Sequence, residues 1–159
     1  MGVEKVVKRN QEELIKISLP DYVMGPIHSF SNYDPTRIQR YETSDGKIYL
    51  YMTEGDRLGA IAEFLSTLEA FQYEVERGVR PETVAYKSFT FDKDLQLLEF
   101  FVYKSLYVID VSAKMIELSL VEDSIRYQVY SEKSVGVTVQ YIDYDSKEVI
   151  ETRHYGKIY

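Results

Sequence analysis

The chain has 159 residues, 26 acidic against 19 basic, with no cysteine, no tryptophan and two histidines, for a net charge of −7. Without cysteine there is no disulfide framework, thiolate nucleophile or cysteine-ligated zinc. An acidic chain is also a poor match for nucleic-acid phosphates or an anionic membrane surface, and suits a basic protein partner.

The length is that of one domain, residues 1–159, large enough to bury a core without covalent or metal staples. The charge is uneven: residues 1–53 are balanced at seven acids and seven bases, residues 54–83 carry seven acids against three bases, and residues 84–159 twelve against nine. Met1 to Val6 holds no apolar core of the kind a signal peptide needs, and Val6 stands where a myristoylation signal has Ser or Thr. No apolar run approaches the ~20 residues that span a bilayer. A cytoplasmic location is expected.

In chain order, Glu4 to Ser18 reads as a short helix, with Val7, Leu14 and Ile17 as its apolar stripe and Pro20 as its stop. Asp21 to Thr36 is irregular, broken by Gly25-Pro26 and Asp34-Pro35. Ile38 to Met52 reads as a hairpin around Asp45-Gly46, a pair suited to the positive φ angles of a type I′ turn. Alternation after the turn puts Ile48, Leu50 and Met52 on the core and Tyr49 and Tyr51 on the outer face.

Glu54 to Arg77 is the clearest helix. Thr53 is placed to cap it, Leu58, Ile61, Leu65, Leu68 and Val75 recur at helical spacing, and Gly78 and Pro81 end it. Its far face carries Asp56, Glu63, Thr67, Glu74 and Arg77.

From Val84 the period changes to two. Phe89 and Phe91, then Leu98, Phe100 and Val102, then Tyr107, Ile109 and Val111 read as strands, with Leu95 to Val111 as one long central strand bent at Lys104-Ser105. Ile116, Leu118 and Leu120 alternate with Glu117 and Ser119; Ile125, Tyr127 and Val129 alternate with Arg126 and Gln128; both read as further strands. Val135 to Tyr141 and Glu148 to Tyr155 complete the series. The polar separators are short, which implies antiparallel neighbours.

Val137-Thr138-Val139-Gln140-Tyr141-Ile142-Asp143, continuing through Lys147-Glu148-Val149-Ile150, resembles the opening hairpin of the mucin-binding repeats of bacterial surface proteins. The resemblance covers a small part of the chain, lacks the family's Gly after the Asp turn, and implies a hairpin here; no function is carried across.

Little in the sequence points to chemistry. His28, with Ser29 and Asp34, lies in one loop, whereas a catalytic triad is assembled from separate elements. His154 sits on the last strand with no partner set for a metal. Asp143 to Glu148 fails the calcium-loop pattern, because Glu148 stands where that loop needs Gly. No phosphate-cradling glycine string occurs. Asp110, flanked by Ile109 and Val111, is the carboxylate to watch, either on the polar side of its strand or in a helix–sheet pocket. Of fifteen tyrosines, Tyr49, Tyr51, Tyr130, Tyr144, Tyr155 and Tyr159 are candidates for exposed contact area.

The expectation is therefore an α+β domain: a mainly antiparallel sheet of about six to eight strands packed on one long amphipathic helix, with a shorter N-terminal helix. No catalytic residue, metal or cofactor is expected. The function expected is acidic, non-enzymatic protein binding, for instance an immunity- or antitoxin-type inhibitor of a basic partner, through Tyr49, Tyr51, Asp56, Glu63 and Glu74. The alternatives are a structural or assembly subunit of a phage or secretion apparatus, and a small-ligand-binding protein or enzyme with a pocket holding Asp110 or His28.

Overall fold

A computed structural model describes residues 3–7, 13–20, 34–78, 81–107 and 110–156. Among the described residues the protein is α+β, with eight strands in two four-stranded sheets and two long helices. The chain divides into two compact units: Met1–Glu63 with Arg126–Ser134, and Phe64–Ile125 with Val135–Tyr159.

The first unit is built on β1 (Val3–Val7), β2 (Glu13–Pro20), β3 (Arg40–Ser44) and β4 (Lys47–Met52), in the order β1-β2-β4-β3 with every pair antiparallel. The expected helix over Glu4–Ser18 is thus two strands. Ile15, Ile17 and Leu19 alternate with Lys16 and Ser18, and they lie directly across from Met52, Leu50 and Ile48, all of them buried. β-branched residues at period two fit a pleated surface better than a helix. The β3–β4 turn matches its sequence signal: Asp45 and Gly46 have φ of 52° and 70°, the pattern of a type I′ turn.

The helix α1 spans Glu54–Arg77 as expected. Thr53 caps it, its Oγ1 accepting from Asp56 N at 3.2 Å. Its first ten residues belong to the first unit and the remainder to the second. In the first unit Arg57 forms a two-pronged pair with Glu54 (2.9 and 2.6 Å) and donates to the Tyr130 carbonyl at 2.6 Å. Ala60, Leu68, Phe71 and Val75 are its buried residues; Leu58, expected in the core, is exposed.

In the second unit β5 (Tyr86–Phe91), β6 (Leu97–Val102), β7 (Val137–Asp143) and β8 (Val149–Tyr155) lie in that order. The β5–β6 and β7–β8 pairs are antiparallel, and β6–β7 is parallel. A parallel neighbour needs a long crossover, which is the second helix, α2 (Val111–Tyr130). Two expected strands, around Ile116–Leu120 and Ile125–Val129, are therefore helical. The reason is visible in what the helix buries: Glu117, Ser124 and Gln128 share the buried side with Ala113, Leu120, Val121 and Ile125. Three polar residues at helical spacing break the apolar stripe, and chance alternation of Ile116, Leu118 and Leu120 imitates a strand. The long strand expected over Leu95–Val111 is also corrected. Leu95 has a positive φ of 55° in a turn in which Asp92 Oδ1 accepts from Gln96 N and Leu97 N, and β6 ends at Val102.

The core of this unit is aromatic. Phe71 meets Phe89 edge-on at 5.2 Å, Phe89 and Phe100 lie 4.9 Å apart, and Phe100 stacks on Tyr141 at 4.8 Å. Gln72 secures α1 to β5 through a 2.9 Å bond to the Phe89 carbonyl. Among the described residues no helix is long and apolar enough to cross a membrane.

Candidate functional site

The second unit contains a buried polar centre beside an open cleft. The centre is Glu117, on the second turn of α2, whose side chain has no solvent exposure. Tyr141 of β7 donates to its Oε1 at 2.8 Å, and Arg153 of β8 donates through Nε to Oε2 at 2.8 Å and through Nη2 to Oε1. Tyr155 also donates to Oε2, and Lys114, one helical turn earlier, reaches Oε2 at 3.4 Å and Tyr155 Oη at 2.9 Å. Alternation on β8 sends Arg153 and Tyr155 to the side facing α2, while the i, i+3 step stacks Lys114 beside Glu117.

Burial alone would raise the Glu117 pKa. The hydrogen bonds from Arg153, Tyr155 and Tyr141 outweigh it and hold the carboxyl at about 2. The Glu117 hydrogen bonds in turn push Arg153 further above its usual range, and Glu151 pairs with the same guanidinium. A carboxylate bonded this fully has no basicity to offer a substrate near neutral pH.

The cleft has a volume of about 260 Å³ and is lined, among the described residues, by Pro81, Val84, Ala85, Tyr86, Leu106, Tyr107, Asp110 and Ala113. Tyr86 is only 6 % exposed. Burial pushes the Tyr86 and Tyr107 phenols up to about 12. The Tyr141 hydroxyl near Tyr86 and the Arg153 guanidinium near Tyr107 act in the opposite direction. Neither phenol completes a hydrogen bond among the described residues, although both hydroxyls are buried. Asp110 lies at the rim as the cap of α2, its Oδ1 accepting from Ala113 N at 2.8 Å. It is exposed and lines the cleft as a helix cap rather than as the strand residue the alternation suggested. His28 lies outside the described residues, as does Tyr159.

The residues singled out from sequence are placed differently. Tyr51, expected on an exposed face, is buried at 4 %. In the register Arg40 and Lys16 flank it on the two neighbouring strands; the Arg40 guanidinium lies 3.8 Å over its ring and its hydroxyl donates to Glu42. Long cationic stems cover the tyrosine face of this sheet. Tyr49 is partly buried, with Lys16 Nζ 4.5 Å over its ring. Asp56 is partly buried in the first turn of α1, where an acid complements the helix dipole. Glu63 is exposed and pairs with Arg37 at 2.5 Å. Glu74 is partly buried. Asp56, Glu63 and the two tyrosines belong to the first unit and Glu74 to the second. Tyr130, expected to be exposed, is buried, and Tyr155 is occupied by Glu117.

His154 is exposed on β8, bonded through Nδ1 to Thr138 Oγ1 at 2.9 Å. Asp143 to Ser146 is a polar turn in which Asp143 Oδ2 accepts from Ser146 Oγ at 2.7 Å. Among the described residues no three His, Asp or Glu side chains converge as metal ligands.

Glu117, Arg153, Tyr86 and Tyr107 were not marked as site residues by the sequence. The available signal is a charged residue at helical spacing among apolar ones, hidden by the strand-like alternation of Ile116, Leu118 and Leu120. Comparison with protein-family models, with curated proteins and with solved structures finds no match.

Proposed function

We propose that this chain is a non-catalytic binding protein whose partner is a basic protein. The observation that carries the reading is an apolar stripe on α2 within a strongly acidic unit. Val111, Met115 and Leu118, at i, i+4 and i+7, are 76 %, 66 % and 39 % exposed. The second unit holds fifteen acids against nine bases, so it accounts for −6 of the net −7. Exposed apolar anchors within a unit of net negative charge fit a partner-specific surface. The bonding of Glu117 to Arg153, Tyr141 and Tyr155 supports a structural rather than catalytic role for the main buried carboxylate. An inhibitor of the immunity or antitoxin type, covering a basic active site, is a concrete form of this function. Glu63, being exposed, remains a candidate for electrostatic steering.

The test compares the protein with its Met115→Asp variant as baits in the source lysate. A protein retained by the parent, released at about 0.5 M salt where charge is screened, and lost on the variant supports the reading. Identical capture by both baits overturns it. So does light scattering that finds the isolated chain forming defined oligomers through this stripe, which would favour an assembly subunit.

A further inference from the structure

We propose that the cleft between Pro81 and Ala113 binds an organic cation on a short aliphatic stem, the chemistry that ends an arginine or lysine side chain. This stands whether or not the protein-binding reading holds, since a free cation of the same kind fills the cleft equally well.

Three features converge on that ligand. The first is size and wall chemistry. About 260 Å³ lies just below the range of about 300–1,000 Å³ that holds drug-sized ligands, so the cleft suits a few methylene groups and a small head. Pro81, Val84, Ala85, Leu106 and Ala113 offer the stem apolar contact. The second is the polar equipment. Asp110 spends Oδ1 on capping α2, and its Oδ2 has no partner among the described residues. Tyr86 and Tyr107 line the cleft with their rings, their hydroxyls being buried out of its reach. Tyrosine rings also attract cations at their faces.

The third is the sign of the local field. The charged groups acting on the two phenols include Asp110, Glu117 and Glu151 against Arg153, and Lys114 lies beside Glu117. Arg153 is already consumed by Glu117 and Glu151. Arg153 and Lys114 together balance Glu117 and Glu151, so an anion would meet the uncompensated carboxylate of Asp110, which also occupies the α2 N-terminus that would otherwise favour an anion.

The experiment follows the tyrosine ring signals of the full chain by NMR during titration with n-butylguanidinium, with hexanoate as the anionic control of similar stem. Tyr86→Phe and Tyr107→Phe assign the two rings. Saturable shifts of both rings with n-butylguanidinium and none with hexanoate are expected. Asp110→Asn keeps a helix-capping oxygen while removing the charge, and weakens binding about tenfold, the scale of one charge-assisted hydrogen bond. Nα-acetyl-arginine N-methylamide separates the sources: binding as tight as n-butylguanidinium assigns the cation to a protein chain, and its exclusion assigns it to a free small molecule. Equal affinity for hexanoate, an unchanged isotherm in Asp110→Asn, or no saturable shift overturns the proposal.

Discussion

A carboxylate withdrawn from water needs a bond at every lone pair or it takes up a proton, and Glu117 takes the first course. Its two oxygens accept from one guanidinium, two phenols and a lysine. The folded-state pKa of about 2 lies below the ordinary 4.5. The stabilisation is therefore fully present above pH 4.5 and is lost as pH falls toward 2, an effect on the order of 3 kcal/mol. Glu117→Gln should destabilise the protein at pH 7 by a similar amount, because Arg153 and two phenols lose their acceptor. Urea unfolding at pH 7, 4 and 3 checks this: parent and variant should converge as the pH drops. A gap that stays constant with pH would mean that the carboxylate carries no special stability. None of this was legible in the sequence. In Ile116-Glu117-Leu118 the acid looks like the solvent face of a strand, and only its partner Arg153, 36 residues away, reveals it as buried.

At the scale of elements, local signals succeeded where one chemical reason governs the backbone. Asp45-Gly46 and the Thr53 cap with its helix read correctly because turn and cap chemistry act within a few residues. α2 failed because its period is carried partly by Glu117, Ser124 and Gln128, whose burial depends on tertiary partners. The N-terminal strands are hidden in the sequence because Val7, Leu14 and Ile17 fall by chance at helical spacing. Two glycines separate the local from the tertiary cost. Gly46 has φ +70° and open space where a Cβ would go, so Gly46→Ala should cost about 1 kcal/mol from backbone conformation alone. Gly156 has φ +73°, and a Cβ there would sit 3.2 Å from Ile125 Cδ1 and 3.3 Å from Val135 Cγ1. Gly156→Ala should therefore lose clearly more than Gly46→Ala in denaturant midpoints measured side by side. Equal losses would mean that Ile125 and Val135 yield freely.

At the scale of the molecule, the charge distribution decides how salt acts. With a net charge of −7, most of it in the second unit, like-charge repulsion opposes the compact state. The exposed pairs Arg37–Glu63 and Arg40–Glu42 contribute little to offset it. Raising salt from low to physiological strength at pH 7 should raise the melting temperature, because screening relieves surface repulsion while the buried Glu117–Arg153 pair is shielded from the solvent ions. A fall in melting temperature would show that exposed ion pairs outweigh the repulsion. The α+β class was legible from period and length. The division into two sheets was not, since the single parallel pair β6–β7 depends on recognising its crossover helix.

The pairing of Glu117 with Arg153 also carries a consequence for how the protein is made. A ribosome delivers α2 before β8, so a growing chain holds a carboxylate with Lys114 beside it but without its guanidinium partner. Docking the helix at that stage would strand the acid in an apolar setting, at a cost of several kcal/mol. The nascent chain should therefore keep this helix surface hydrated until Arg153 emerges, so that the second unit closes only after β8 is made.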